Sequence, residues 1–299
     1  MLLKKIIPVL LCIFCYAWLL PVNAGNCNHT DSLPASTNII TLSAPLHFFA
    51  DPMVSCDSNI AVIPFTRSGN LILIKASADS MEGNFILDTG APGLVLNLTY
   101  FRDYPSLTTT AGDVGGGITG TAAGSDQVQV DRLSFGPVHY SRLDADRVNL
   151  GHLEKSRNVK ILGLLGVQLF SRFEMIIDYE QSLIYFHLIG RKEANSYQSE
   201  QLNDPSSYNV FPITVIENKL LITAQMAGRK LKFLIDTGAE SNVLDSRLPN
   251  RIFENNVRVT GRVTLSGTGS GKTEALAGDL NNLELGELKI SSLPVIVTN

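Results

Sequence analysis

The sequence predicts an all-β protein that contains two copies of one domain in tandem. Shifting the chain by 148 residues aligns residues 62–97 with residues 210–245 without a gap, and 14 of the 36 aligned residues are identical. The period is the size of a domain, which favours a duplicated domain over a solenoid of short repeats. Within each copy, short apolar runs bounded by turn residues are typical of β-strands.

The first 24 residues have the pattern of a secretory signal peptide. Lys4 and Lys5 form a charged start, an apolar stretch follows at 6–20, and small residues precede Gly25. The apolar stretch is shorter than the roughly 20 residues that a membrane-spanning helix needs, so an uncleaved anchor is the less favoured alternative. We expect an exported protein, periplasmic or extracellular, with no stable membrane span after cleavage.

Charge and cysteine content narrow the function classes. The chain has 24 Lys and Arg against 28 Asp and Glu, and removal of the signal peptide leaves 22 against 28, a net charge of −6. No basic excess is present to neutralise a nucleic-acid backbone, so we expect no nucleic-acid partner. The remaining cysteines, Cys27 and Cys56, are candidates for a disulfide in an exported chain, and the spacing leaves their pairing open.

Residues 25–60 form an N-terminal extension to the first lobe, which we place at 61–190. A polar linker at 191–207 leads to the second lobe at 208–299. The first lobe is expected to end in a β-hairpin, with strands at Met175–Tyr179 and Leu183–Phe186. The best helix candidate is Leu164–Arg172.

Both copies contain an apolar strand followed by Asp-Thr-Gly-Ala. The first such loop is Asp88-Thr89-Gly90 and the second is Asp236-Thr237-Gly238. One such tetrapeptide is often an ordinary turn, but two at equivalent points of a duplicated domain allow the two carboxylates to face each other. Facing carboxylates share one proton, and the ionised member can activate a water for attack on a carbonyl.

These loops resemble those of the pepsin and retropepsin-like aspartic proteases. The resemblance covers residues 62–190 well and 210–299 partly. It implies barrel-like β lobes with a pseudo-two-fold axis and a cleft between them, a polypeptide substrate and no cofactor. It also implies that Asp88 and Asp236 are catalytic, that Thr89 and Thr237 lock the loops together, and that Gly90 and Gly238 support them.

Two further segments match features of that family. An apolar-apolar-Gly signature, expected beside the first catalytic loop, corresponds to Ile161-Leu162-Gly163. A glycine-rich flap over the cleft corresponds to Gly116-Gly117-Ile118-Thr119-Gly120. Neither segment contains a metal-binding pattern, and the five histidines of the chain are scattered, so we expect no metal.

The second copy has no counterpart of Ile161-Leu162-Gly163 or of the closing hairpin within the 299 residues. The offset of the repeat would place that counterpart near position 313. We therefore expect a second lobe that is incomplete at its C-terminal end, with a dimer or a second chain as one way to complete it.

Two other functions compete with proteolysis. A pseudo-protease would bind extended peptides in the same cleft without cleaving them. The segment Ser266–Thr273 ends like a phosphate-binding loop, but its first position lacks the required glycine, so nucleotide binding is disfavoured.

Overall fold

The computed structural model describes residues 13–15, 51–56, 59–108, 126–192, 194, 196–197, 209–266 and 272–298. Strands dominate this part of the chain, so the predicted all-β class is confirmed. The strands are β1 (Ile13–Cys15), β2 (Met53–Val54), β3 (Ile60–Ser68), β4 (Leu71–Ala78), β5 (Met81–Asp88), β6 (Leu94–Asn97), β7 (Ser106–Thr108), β8 (Asp126–Phe135), β9 (Val138–Val148), β10 (Ile161–Gly166), β11 (Phe173–Asp178), β12 (Leu183–Leu188), β13 (Ile213–Ile216), β14 (Lys219–Met226), β15 (Arg229–Ile235), β16 (Asn242–Asp245), β17 (Val257–Ser266), β18 (Lys272–Leu280), β19 (Leu283–Leu285), β20 (Leu288–Ile290) and β21 (Leu293–Thr298). The helices are α1 (Leu98–Phe101), α2 (Gly151–Arg157) and α3 (Asn250–Glu254), with a 3-10 helix at Val167–Phe170.

Strands β2 to β12 form the first sheet. Its order is β11-β12-β3-β4-β5-β10-β6-β9-β8-β7, and β2 pairs with β9 beside this path. β4 also pairs with β8, so the sheet closes on itself around its apolar face. β8 shows the inner and outer faces of this sheet. Its Val128 and Val130 are fully buried, whereas Gln129 between them is exposed. Inward-facing and outward-facing side chains therefore alternate along this strand.

Strands β13 to β21, together with β1, form the second sheet. Its order is β17-β18-β21-β16-β1-β15-β14-β19-β20, and β13 pairs with β14. β14, β15 and β16 begin 148 residues after β4, β5 and β6, which is the offset of the sequence repeat. Each sheet has its own apolar core, which includes Phe85 in the first and Phe233 in the second. The boundaries drawn at 61–190, 191–207 and 208–299 stay a prediction.

The segment after Asn158 differs from the expected helix. Leu164–Gly166 belongs to β10, and the helix is limited to the 3-10 turn at Val167–Phe170. Every residue of β10 is buried, because the strand lies between β5 and β6 with its faces covered. An apolar run of this kind does not distinguish a buried strand from a buried helix. The predicted closing hairpin is confirmed as β11 and β12, which pair antiparallel.

β1 lies within the segment that the sequence predicts to be a signal peptide. Its backbone pairs antiparallel with β15, with Ile13 opposite Ile235, and parallel with β16, with Phe14 opposite Val243. No helix among the described residues is long and apolar enough to cross a membrane. Export and cleavage before Gly25 stay predictions, and cleavage would remove β1 from the second sheet.

Candidate active site

Each Asp-Thr-Gly loop follows the end of a strand anchored in its own core. β5 ends at Asp88, and β15 ends one residue before Asp236. Phe85 and Phe233, three residues before the two aspartates, are fully buried. The strands therefore deliver the two carboxyl groups from opposite sides to one place between the sheets.

Thr89 and Thr237 lock the two loops together by four reciprocal hydrogen bonds. The Thr89 amide donates to Thr237 Oγ1 at 3.1 Å, and the Thr237 amide donates to Thr89 Oγ1 at 3.0 Å. Each hydroxyl also donates across the junction, Thr89 Oγ1 to the Ile235 carbonyl at 2.9 Å and Thr237 Oγ1 to the Leu87 carbonyl at 2.7 Å. These amide, hydroxyl and carbonyl groups find their hydrogen-bond partners only when the two loops are in contact. The loops are thus held at a fixed separation.

Gly90 and Gly238 allow the two carboxyl groups to approach each other. A Cβ atom at Gly90 would lie 2.5 Å from Cγ of Asp236, and one at Gly238 would overlap the carboxyl group of Asp88. Cβ atoms do not tolerate such distances, so a residue without a side chain is required at both positions. Each aspartate therefore lies directly against the backbone of the other loop.

The backbone of each loop also binds its own carboxylate. Asp88 Oδ1 accepts hydrogen bonds from the amides of Gly90 at 2.9 Å and Ala91 at 3.1 Å. Asp236 Oδ1 accepts one from the amide of Gly238 at 2.8 Å. These contacts orient the carboxyl groups and leave an oxygen of each for its partner.

The pKa values of both carboxyl groups are raised above their ordinary value. Burial raises the pKa of Asp88, while hydrogen bonds from Asp236 and from the loop amides oppose that rise. The pKa of Asp236 is raised well above its ordinary value, first by burial and then by the negative charge of Asp88. The raised pKa values favour retention of a proton by the pair as a whole. Both residues are half-buried.

The Ile161-Leu162-Gly163 signature lies beside the first loop, as expected. β10 pairs with β5 up to Asp88, and Gly163 lies opposite Leu96 of β6. A Cβ atom at Gly163 would overlap the Val95 carbonyl and lie 2.7 Å from the Phe85 ring. The Val167 amide, just beyond β10, donates to the Ala91 carbonyl at 2.9 Å. The signature thus supports the Asp88 loop through close backbone packing.

Sequence reasoning did not identify three residues around the second loop. Glu240, four residues after Asp236, is bound by Asn70 and paired with Arg157, both from the first-sheet region. Asn70 is one of the identities of the sequence repeat, which was the available signal. Arg157 and Glu240 carried no signal, since their contact joins distant segments.

Some predicted site residues lie outside the described part of the chain. They are the flap residues Gly116, Gly117, Ile118, Thr119 and Gly120, and Cys27 of the candidate disulfide. The Cys56 thiol is exposed and donates to the Ile60 carbonyl at 3.4 Å, so its pairing stays a prediction. Across the described residues, no group of three or more His, Cys, Asp or Glu side chains could hold a metal ion.

Residues 222–299 match the family model described as aspartyl protease. No curated protein matches the chain. Among solved structures, it is similar to a retropepsin-like aspartic protease from Rickettsia conorii, at 16% identity over 46% of this chain and 95% of that chain, with a TM-score of 0.29. It is also similar to conglutin gamma from lupine seeds (15% identity, 81% of this chain and 87% of that chain, TM-score 0.42) and to Basic 7S globulin from soybean (13%, 81% and 89%, TM-score 0.40). The resemblance to the aspartyl protease family is confirmed by the match of residues 222–299.

Proposed function

From the aspartyl protease match of residues 222–299, we propose that the chain is an aspartic endopeptidase in which Asp88 and Asp236 activate a water molecule. The observation that supports this most directly is the pair of facing carboxyl groups, which are held by reciprocal threonine hydrogen bonds and whose pKa values are both raised. An ionised and a protonated carboxyl side by side supply a base and an acid without a cofactor.

The proposed reaction uses the two aspartates in different roles. Asp88, the ionised member, takes a proton from a water held between the carboxyl groups, and that water attacks the carbonyl carbon of a peptide bond. Asp236, the protonated member, donates its hydrogen bond and then its proton to the carbonyl oxygen as negative charge develops there. As the tetrahedral intermediate collapses and its C–N bond breaks, Asp88 gives the proton it took from the water to the leaving nitrogen, and Asp236 takes a proton back from a hydroxyl of the intermediate, which leaves as the carboxylic acid product. The carboxyl groups then bind a new water.

The test is cleavage of an unfolded protein at mildly acidic pH by purified chain. We expect Asp88→Asn and Asp236→Asn each to lose cleavage by at least ~100-fold, because either change removes the acid or the base. Asp144→Asn, at an exposed position of β9, is the matched control and should cleave like the wild type. Equal cleavage by Asp88→Asn and wild type would overturn the proposal.

A second candidate is peptide binding without cleavage. It is favoured by the weaker support of the second loop: β1 spans three residues and stops at Ile235, whereas β10 spans six and reaches Asp88. A catalytic group needs rigid support, so a less rigid Asp236 loop would reduce turnover. Recovery of a bound peptide uncut, at equal affinity for wild type and Asp88→Asn, would favour this candidate.

A further inference from the structure

The equivalent carbonyl groups of the two loops are bound by different donors. In the first loop, the Pro92 carbonyl accepts a hydrogen bond from the Gln168 amide at 3.1 Å, which comes from the same sheet region. The sequence offset of 148 places Glu240 at the corresponding point of the second loop. Its carbonyl accepts from Asn70 Nδ2 at 2.8 Å, and Asn70 lies in the turn between β3 and β4 of the first sheet.

The side chain of Glu240 is bound from the same direction. Its carboxylate forms an ion pair with Arg157, the last residue of α2. The side chain of Glu240 is about one-third exposed and that of Arg157 about one-quarter. The guanidinium group lies against the β3–β4 turn, since a Cβ atom at Gly69 would be 2.7 Å from Arg157 Nη1. Asn70, Arg157 and Glu240 therefore form one cluster, which we call the Glu240 clamp.

An isolated surface ion pair would contribute only about 0–1 kcal/mol to the free energy of unfolding. The clamp contains more than such a pair. It combines a charged pair with a hydrogen bond to a backbone carbonyl, and both act on the loop that carries Asp236. Arg157 and Glu240 are partly buried, so solvent screens the attraction between their charges less than it would at the surface. A displacement of about 1 Å at a catalytic group can cost roughly 100-fold in rate, so a contact that fixes this loop bears on the chemistry.

We propose that Asn70 and Arg157 are positioning residues that hold the Asp236 loop from the first sheet through Glu240. The inference rests on the proposed function and deepens it: the first sheet supplies Asp88 and also fixes the placement of Asp236. In the full chain the second loop also lies beside the short strand β1, and the clamp supplies the contact that Gln168 supplies to the first loop.

A charge exchange between Arg157 and Glu240 tests the ion pair. Arg157→Glu and Glu240→Arg each place like charges against each other, and the double variant restores an opposite pair. We expect kcat to fall by roughly 10- to 100-fold in each single variant, with a smaller change in KM and a shifted pH profile of kcat/KM. The double variant should recover to within about threefold of wild type, since the loop is again held.

Asn70→Asp tests the carbonyl contact, because the change replaces the amide donor by an acceptor of the same size. Asn218→Asp is the matched control: Asn218 occupies the equivalent turn of the repeat and is exposed. We expect Asn70→Asp to lower kcat and Asn218→Asp to leave it unchanged. Equal kcat in all single variants, or a double charge variant as impaired as the worse single one, would overturn the proposal.

Hydrogen exchange of residues 236–245 provides a readout that does not depend on activity. The single clamp variants should exchange faster in this segment at an unchanged melting temperature, and the double charge variant and Asn218→Asp should match wild type. If wild type and Asp88→Asn cleave equally, the proposed function fails, and the clamp is then judged by exchange alone. Unchanged exchange in Arg157→Glu and Asn70→Asp would overturn it.

Discussion

The two Asp-Thr-Gly loops have the same sequence but are supported by different parts of the molecule. Beside the first loop, β10 pairs with both β5 and β6, and its glycines pack against the backbone. Beside the second loop, the corresponding position between β15 and β16 is taken by β1, from the far N-terminal end of the chain. A site with local symmetry can thus rest on asymmetric supports, so equivalent substitutions should have unequal effects.

The largest effect is expected at Gly163, which has no equivalent among the described residues of the second sheet. Gly163→Ala would place a Cβ atom against the Val95 carbonyl, and backbone cannot move aside as a flexible side chain can. We expect the free energy of unfolding in urea to fall by about 3 kcal/mol or more. Gly261→Ala is the control, since a Cβ atom at this strand position of the second sheet meets nothing within 4 Å. Similar stabilities of the two variants would contradict the close packing of β10.

The next largest effect is expected at the threonines of the junction. Thr89→Val and Thr237→Val keep the shape of the side chain but remove a hydroxyl that serves one backbone donor and one backbone acceptor. Leaving buried partners unsatisfied costs about 1–3 kcal/mol. Because Thr89 is 2% exposed and Thr237 is partly exposed, Thr89→Val should cost more.

Controls for the threonine pair come from the repeat itself. Thr66→Val and Thr214→Val lie at aligned, exposed positions of β3 and β13, and each should change the free energy of unfolding by less than about 0.5 kcal/mol. Equal losses in Thr89→Val and Thr237→Val would show that the junction is energetically symmetric despite its unequal burial.

The sequence was sufficient to predict the parts of the site that are local or repeated. The Asp-Thr-Gly loops and the strands before them were found from short repeated patterns, and the Ile161-Leu162-Gly163 segment from the resemblance to the protease family. The helix expected at Leu164–Arg172 was wrong apart from the 3-10 turn at Val167–Phe170. Leu164–Gly166 is a strand, because burial between two strands overrides local pattern. The pairing of β1 with β15 could not be predicted, since no local signal links segments so distant in the chain.

The side-chain contacts of the Glu240 clamp could not be predicted from the sequence for the same reason. Asn70 and Glu240 are separated by 170 residues, and their contact depends on how the sheets meet. The repeat singled out Asn70 as one of its identities but could not assign it a role. Its equivalent, Asn218, is exposed. Where the copies diverge in environment, an identical residue does not carry an identical function.

The raised pKa of Asp236 predicts a pH-dependent stability difference of moderate size. The pKa of Asp236 is raised in the folded state, so the folded chain binds this proton more tightly than the unfolded chain does. Stability is therefore lost as pH rises from the ordinary value of 3.8 through the raised one. Asp236→Asn cannot ionise, so we expect it to melt at a higher temperature than wild type at pH 7 and at the same temperature below about pH 4.

Asp245 provides a control of opposite sign for this prediction. Arg247 lowers the pKa of Asp245 through side-chain hydrogen bonds, so this carboxylate contributes stability above its ordinary pKa that is lost as pH falls. Asp245→Asn should melt at a lower temperature than wild type at pH 7, with the difference shrinking in acid. A lower melting temperature of Asp236→Asn at pH 7 would argue against a raised pKa of Asp236 in the folded state.

The smallest effect on stability is expected at the edge strand β13, where the two sheets also differ. β3 is covered by β12, whereas β13 pairs with β14 alone among the described strands, and its four uncharged residues are all exposed. Uncharged open edges favour association with other chains, and a lysine on such an edge opposes it. Val215→Lys should reduce concentration-dependent association in sedimentation velocity and change the free energy of unfolding by less than about 0.5 kcal/mol. Val62→Lys, on the covered strand β3, should leave association as in wild type, and equal effects of the two lysines would mean that the edge of β13 does not direct association.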